Sequence, residues 1–208
     1  MSIENTKINR NPVETRQQIL NVAFYEIYKH GFKGASTNTI IEKMDLSRGA
    51  FFHHFPTKNE LGYALIDEVL NRMIIERWIK PIEQYDNPLT GIVDNFARLI
   101  NEHQDKHILH GCPLNNLVQE MSDRPEFQIR IKAIMQMWIK ETQSILTQAK
   151  RTGYLAKHIN TRQLAEFIVA CQEAAYSMGK ALNSRNAMLS IWRSLKDHLT
   201  MLNHTCAG

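Results

Sequence analysis

The sequence predicts an all-α protein of about nine helices, on three observations. Glycine and proline are scarce, at 9 and 6 of 208 residues, so few positions interrupt a helix. Apolar residues recur at three- and four-residue spacing over most of the chain, and alternating β-branched runs are almost absent. Capping and helix-breaking residues separate these periodic stretches.

Two capping patterns mark helix starts in the first third of the chain. Asn11 to Glu14 places Asn at a cap, Pro at the first helical position and Glu three residues beyond the cap. We expect that helix to stop at Gly31. Thr57 to Glu60 is a second capping box and predicts a longer, rod-like helix that runs towards Lys80, where Pro81 interferes.

Residues 37–58 predict a short helix, a tight turn and a second short helix. Ser36 or Thr37 can cap the first helix, and Ser47 can cap the second, because a hydroxyl accepts from free N–H groups. Asp45 lies in the turn, where Asp tolerates left-handed backbone angles.

The second short helix has an apolar side and an open side. Phe51 and Phe55 are four residues apart and are expected to face inward. The outer side then carries Arg48, Gly49, Phe52 and His53. A short helix of this kind suits insertion into the major groove of DNA.

The stretch from about residue 13 to 60 resembles the DNA-binding domain of the TetR/AcrR family of bacterial one-component repressors. The family pattern falls on Leu46, Ser47, Gly49, Phe52, His54, Phe55 and Lys58. Two positions depart from it: Asp45 replaces the usual Gly, and Phe52 replaces the usual Tyr and lacks its hydroxyl. The resemblance implies an N-terminal helix-turn-helix domain over residues 1–58, with an arm at 1–10, and an effector-binding and dimerisation domain over 59–208.

Seven residues are predicted to contact DNA. They are Thr37, Asn38, Arg48, Gly49, Phe52, His53 and Lys58. Thr37 and Lys58 are assigned to phosphates, while Arg and Asn side chains have the donor patterns that read guanine and adenine. Three of the four net positive charges lie within residues 1–58, which agrees with phosphate binding.

Beyond Pro81, helices are expected at about 88–106, 113–122, 125–152, 161–183 and 186–203. The last two are amphipathic. The resemblance implies that they pack against a second copy as a four-helix bundle, although an ordinary intrachain core would show the same periodicity.

The expected partners are a second copy of the chain in a homodimer, a palindromic double-stranded operator and an unknown small-molecule effector. No membrane is expected as a partner.

An adaptable apolar pocket for the effector is predicted in the middle helices, because Met and aromatic side chains can line one. The alternative interpretation for each residue is plain core. The predicted pocket residues are Trp78, Phe96, Ile100, His103, Leu117, Met121, Trp138, Gln172 and Tyr176.

Cys112 supports an alternative function as a redox or electrophile sensor. It precedes Pro113 and would cap a helix, whose dipole can lower a thiol pKa. The surrounding Gly-Cys-Pro-Leu segment, 111–114, also resembles a TetR subgroup. His103, His107 and His110 have metal-ligand side chains near Cys112, but their spacing is loose, so we predict no metal and keep a metal sensor as an alternative.

No enzyme is predicted, since the chain has no nucleophile elbow, Walker loop, dinucleotide fingerprint or zinc-protease motif. No cofactor is expected.

The polar N-terminus, the lack of an apolar stretch of about 18 residues and three widely spaced cysteines favour the cytoplasm. We therefore expect a ligand-responsive regulator, most plausibly a repressor. The second alternative is a helical small-molecule-binding protein without DNA binding, which the departures at Asp45 and Phe52 leave open.

Overall fold

The computed structural model describes residues 11–102 and 108–203, and these ranges contain nine helices. The helices are α1 (Pro12–Gly34), α2 (Thr37–Lys43), α3 (Arg48–His54), α4 (beginning as Lys58–Ala64), α5 (Pro88–Glu102), α6 (Pro113–Met121), α7 (Pro125–Arg151), α8 (Thr161–Leu182) and α9 (Arg185–Leu202). The all-α prediction is confirmed. Four of the five helices expected after Pro81 match to within one residue at each end, and α5 is described as far as Glu102.

Helix α1 starts where the sequence predicts and ends later. The Asn11 side chain accepts a hydrogen bond from the Val13 N–H at 3.0 Å, with Pro12 at the first position. Gly31 adopts φ 76° and ψ 163°, which breaks the helical path. One more helical turn follows, because Phe32 is buried and holds the chain against the core. The expected stop at Gly31 is therefore a kink.

Helix α4 is not the uniform α-helix that we expected. After Lys58–Ala64 it continues as a π-helical segment, Leu65–Leu70, an α-helical turn, Asn71–Ile74, and a second π-helical segment, Ile75–Ile79. A 3₁₀ turn, Lys80–Ile82, ends it and includes Pro81.

The burial pattern of α4 explains this mixture. Ile66, Leu70, Ile74, Trp78 and Ile82 are all buried and recur at every fourth residue. In an α-helix of about 3.6 residues per turn, a four-residue repeat drifts by about 40° at each step. A π turn holds more residues than an α turn, so alternating the two offsets this drift over the segment from Ile66 to Trp78.

The chain divides into two compact units, Met1–Leu65 and Ile66–Gly208. In the first unit, α1, α2, α3 and the start of α4 enclose a small core. Its fully buried side chains include Ile19, Leu20, Ile40, Phe51 and Leu61. Glu26 of α1 is buried and forms an ion pair with Lys43 of α2, which fixes these two helices to each other.

In the second unit, α8 and α9 form an antiparallel pair. Asn183 ends α8 in the left-handed conformation, φ 44°, and Ser184 caps α9. Gly179 allows a close crossing, because a Cβ there would lie 2.6 Å from the Met188 Cγ. The Trp192 Nε1 donates to the Val93 carbonyl of α5 at 3.0 Å. Within the described ranges, no helix combines the length and the apolar character that crossing a membrane requires.

Candidate DNA-binding surface and effector site

The helix-turn-helix of the first unit is built by the capping groups that the sequence predicts. Ser36 caps α2 by accepting from the Asn38 N–H at 3.2 Å, and Ser47 caps α3 by accepting from the Ala50 N–H at 3.1 Å. Asp45 takes the left-handed conformation, φ 50°, in the turn. Hydrogen bonds within three residues thus set the directions of both short helices.

Helix α3 separates its apolar and open sides as expected. Phe51 and Phe55 are buried, and the Arg16 guanidinium lies 5.0 Å from the centre of the Phe55 ring. On the open side, Phe52 is 40% exposed, and beyond its own helix Gly49 has no described residue within 4 Å of the place a Cβ would occupy. Arg48 and His53 are exposed beside them. This side is free to meet a large partner.

Asn38 and Arg48 join the N-terminal ends of α2 and α3. An Arg48 Nη2 donates to the Asn38 Oδ1 at 3.1 Å, and both residues are exposed. The amide oxygen therefore orients the guanidinium, whose remaining N–H groups stay available to a further acceptor. Thr37, next to Asn38, is half-buried at the first position of α2.

Lys58 is used within the first unit. Its Nζ donates to the Ala35 carbonyl at 2.6 Å and to the Lys33 carbonyl at 3.3 Å. The ammonium also lies 5.0 Å from the centre of the Phe32 ring. Lys58 thus ties the start of α4 to the end of α1. A phosphate contact by this side chain stays a prediction.

His54 does not belong to the exposed, open side of α3. It is half-buried, and desolvation, followed by the charges of His53 and Arg16, lowers its pKa from the usual value. A lowered pKa keeps the imidazole neutral at neutral pH. A neutral, half-buried ring suits packing beside Phe51 and Phe55 more than contact with a phosphate.

In the second unit, the structure brings four predicted pocket residues into one ring cluster. The Trp78 ring centre lies 5.5 Å from that of Phe96, 5.6 Å from that of Trp138 and 6.2 Å from that of Tyr176. These rings come from α4, α5, α7 and α8, which the sequence separates widely. We call these four side chains the ring cluster.

The other predicted pocket residues divide into two groups. Ile100, Leu117 and Met121 are buried in α5 and α6 as apolar core, and Gln172 is buried in α8. His103 lies outside the described residues, as does His107 of the histidine group. His110 is described and half-buried. In the parts of the chain that the structure covers, no three His, Cys, Asp or Glu side chains meet in a metal-binding arrangement.

A row of polar contacts joins the N-terminal end of α6 to α8, and its α8 side was not predicted from the sequence. Three side chains of α8 take part, each paired with one near the start of α6. The pairs are Cys112 Sγ with Glu173 Oε1 at 3.1 Å, Asn115 Nδ2 with Ser177 Oγ at 2.6 Å, and Asn116 Oδ1 with Lys180 Nζ at 2.8 Å. The spacing 173, 177 and 180 places them on one helix face, a signal that the sequence did contain.

Cys112 caps α6 as predicted, but its thiol pKa moves in the direction opposite to our expectation. Burial, the main cause, and the neighbouring Glu173 carboxyl raise the Cys112 pKa well above its ordinary value, although the residue as a whole keeps some exposure. Backbone hydrogen bonds at the helix start act the other way and are outweighed. A thiol in this state stays protonated at neutral pH, which disfavours the nucleophilic form.

Two family models match the chain. The model for bacterial regulatory proteins of the tetR family matches residues 19–65, and the tetracyclin repressor-like C-terminal domain model matches residues 88–195. The second match alone covers more than half of the 208 residues. The first match falls on the helix-turn-helix unit, and the second covers the helices that carry Phe96, Trp138 and Tyr176, while Trp78 lies between the two matches.

Individual proteins agree with the family models. The chain is 30% identical over 113 residues to an HTH-type transcriptional regulator in the lacX 3' region of Lactococcus lactis. The aligned residues cover 52% of this chain and 55% of that protein. It is 23% identical over 181 residues to the HTH-type transcriptional repressor DhaR of Mycobacterium sp., covering 86% and 88% of the two chains.

Among solved structures, a TetR-family transcriptional regulator from Cytophaga hutchinsonii superposes with a TM-score of 0.82 at 18% identity, over 95% of this chain and 99% of that one. At this identity the similarity establishes the fold. Together with the two family models, it confirms the architecture that the sequence predicts. The chain therefore belongs to the TetR family of bacterial transcriptional regulators, which bind DNA and are not enzymes.

Proposed function

We propose that this chain is a repressor that binds a palindromic operator as a homodimer and is released by a small-molecule effector. The observation that supports this best is the open side of α3, which two hydroxyl caps and a left-handed turn orient towards solvent. An exposed arginine, a glycine whose Cβ position is open among the described residues and an exposed aromatic ring lie side by side there. Major-groove readers use such groups.

Within the proposed interface the seven predicted residues have different roles. Arg48, held by Asn38, reads a base edge, and Phe52 offers its ring to a thymine methyl group. Gly49 allows close approach of the backbone, while Thr37 and His53 contact phosphates or neighbouring bases. Lys58 contributes to phosphate binding in the proposal, in addition to the carbonyl contacts described above.

Dimerisation through α8 and α9 is the second part of the proposal. Both helices leave large apolar side chains uncovered, which is unusual for a monomer surface. These are Phe167, Met178, Leu182 and Met201, between 44% and 78% exposed. A two-fold dimer would cover them and would present two α3 helices to half-sites about one helical turn of DNA apart.

The effector part of the proposal is a population shift. An effector in the C-terminal unit favours a dimer conformation in which the two α3 helices no longer match successive major grooves. About 2.8 kcal/mol of differential affinity between the two conformations changes their ratio about a hundredfold. We also place the chain in the subgroup with a Gly-Cys-Pro-Leu segment, 111–114, and in the cytoplasm, where its DNA would be.

The test is fluorescence anisotropy of the purified protein on a duplex from upstream of its own gene, with a scrambled duplex for comparison. We expect specific binding whose affinity falls steeply with salt, because phosphate contacts release counterions. Arg48→Ala should reduce the preference for the specific duplex by about tenfold to a hundredfold, the effect of losing one good base contact.

Arg151→Ala is the matched control, since Arg151 is exposed at the end of α7 in the other unit and should not affect DNA binding. If the protein binds its upstream duplex no better than the scrambled one, and no sequence is enriched from a random duplex library, the proposal is wrong.

A further inference from the structure

Gln172 is a buried polar side chain whose amide oxygen has no hydrogen-bond partner among the described residues. It lies in the middle of α8 and is 4% exposed. Its Oε1 accepts no hydrogen bond within the described residues. An unpaired buried acceptor loses its water without compensation, which destabilises the protein. An apolar residue would be more favourable at this position, so the amide oxygen points to a donor on another molecule.

The surroundings of Gln172 are aromatic. Gln172 and Tyr176 are one turn apart on the same face of α8, and the Tyr176 ring lies 6.2 Å from that of Trp78. Trp78, Phe96 and Trp138 are themselves almost fully buried. A molecule that reaches the Gln172 amide through the ring cluster therefore meets ring faces and edges over most of its surface.

The charges near the ring cluster favour a neutral molecule. The four rings and the Gln172 amide supply no ionised group that would offset the desolvation of an ion. The nearest acidic side chain in sequence, Glu173, directs its carboxyl to the Cys112 thiol at 3.1 Å. An ion among these five side chains would thus lose its hydration without gaining a partner of opposite charge from them.

Room for a ligand must come from movement of a ring, because Trp78 contacts each of the other three rings. Trp78 is the ring whose backbone is suited to move, since it belongs to the π-helical segment Ile75–Ile79. π-helical turns are rare and hold an additional residue. A one-residue change of register there would rotate Trp78 by about 100° around the helix axis.

We propose that the ring cluster and Gln172 form the effector site, and that it accepts a neutral, mainly apolar ring compound with one N–H or O–H donor. The donor pairs with the Gln172 Oε1, and the ring takes the place that Trp78 leaves. That the bound compound acts as an effector rests on the proposed function. Binding of the compound at this site can be tested without DNA.

The experiment uses the full chain without DNA and two pairs of probes that differ only in the donor. Phenol is compared with anisole, and indole with 1-methylindole, by isothermal titration calorimetry. We expect each donor compound to bind at least tenfold more tightly than its methylated partner. In Gln172→Met, which keeps the side-chain length and removes the amide, that preference should fall to within twofold.

Ligand-free stability provides an independent measurement. Gln172→Met should melt at a higher temperature than the parent, because it removes an unpaired buried oxygen. Gln163→Met is the matched control on the same helix; Gln163 is exposed, so both melting temperature and probe affinity should stay unchanged.

Three results would overturn the inference: equal affinities within each pair, a preference that survives in Gln172→Met, or no binding by phenol and indole. A lower melting temperature for Gln172→Met would also do so, since it would mean that the amide has a partner in the free protein. If the probes bind as expected but no DNA binding is found, the proposed function fails and the site stands.

Discussion

Single side chains determine how the reading helix can recognise a base. Arg48 is exposed, and the 3.1 Å contact with Asn38 restricts its guanidinium to fewer directions. Ordering a long side chain in advance reduces the entropy that binding must remove. Asn38 can therefore contribute to base reading by orienting Arg48, even if its own amide does not touch a base.

We predict that Asn38 and Arg48 are energetically coupled in DNA binding. Binding is measured on a duplex selected from a random library. The losses of binding free energy in Asn38→Ala and in Arg48→Ala should sum to more than the loss in the double variant. The excess should be about 0.5 kcal/mol or greater, as for residues in direct contact. Anisotropy titrations of the three variants measure it.

The control for this cycle is Asn21→Ala, whose side chain contacts Gln17 on α1 and not Arg48. Its effect should add to that of Arg48→Ala without an excess. Strict additivity between Asn38 and Arg48 would show that the hydrogen bond does not act in the complex.

Glu173 makes the stability of the second unit depend on pH. Burial, opposed by the hydrogen bond from Cys112, raises its pKa in the folded state. The folded state then holds the proton more firmly than the unfolded state, whose Glu pKa is about 4.3. The contribution of Glu173 to folding stability is therefore fully present at pH values below the unfolded pKa of about 4.3. It decreases as the pH rises through the raised pKa of the folded state.

Glu173→Gln should therefore gain stability relative to the parent as pH increases, because a neutral amide carries no buried charge. We expect the two proteins to be similar near pH 4 and the variant to be more stable at pH 8. Urea denaturation at several pH values measures the difference. Glu166→Gln, an exposed residue on the same helix, serves as control. If Glu173→Gln lowers the free energy of unfolding by the same amount at every pH, this account is wrong.

At the level of helices and turns, Asp45 connects α2 to α3 with φ 50°. Most L-residues are disfavoured in this region because Cβ approaches the following carbonyl oxygen, and glycine avoids that contact. The family pattern has Gly here, so this chain keeps the turn geometry at some cost in stability.

Asp45→Gly is expected to stabilise the first unit by about 0.5–1 kcal/mol, and Asp45→Ala to destabilise it by a similar amount. Asp45→Asn is the control and should change little, since Asn tolerates left-handed angles nearly as well. Chemical denaturation followed by circular dichroism measures the shifts. Loss of stability in the Gly variant would mean that the Asp side chain itself stabilises the turn.

Considering the molecule as a whole, α8 and α9 carry four of the large apolar side chains that the described residues leave exposed. Phe167 and Met178 are 45% and 44% exposed on α8, and Leu182 is 59% exposed at its end. If a second copy covers this face, a charge in its middle has to be desolvated in the dimer.

Met178→Glu should therefore shift the protein from dimer to monomer in sedimentation equilibrium and weaken operator binding at least tenfold. Ile129→Glu is the matched control, because Ile129 is 58% exposed on α7 and is not part of the apolar side chains exposed on α8 and α9. A parent protein that sediments as a monomer at concentrations where it binds its operator would exclude this part of the proposal.

The local sequence was sufficient for much of the helical framework. The caps at Asn11, Ser47 and Thr57 use partners within three residues, so their hydrogen bonds follow from residue type and spacing. Helical periodicity and the breaks at Pro and Gly likewise placed α6 to α9 to within a residue. The exposed side of α3 followed from the spacing of Phe51 and Phe55.

The chemistry of individual groups was decided by tertiary packing. Glu173 lies 61 residues from Cys112, and its contact helps to raise a thiol pKa that the helix end alone would lower. Lys58 bonds to carbonyls 23 and 25 residues away, which no local pattern indicates. Electrostatic effects and burial depend on what surrounds a group in space, whereas capping and periodicity depend on neighbours along the chain. The sequence alone therefore determined the helices, their order and the family, and only the folded structure brought four rings together beside an unpaired Gln172.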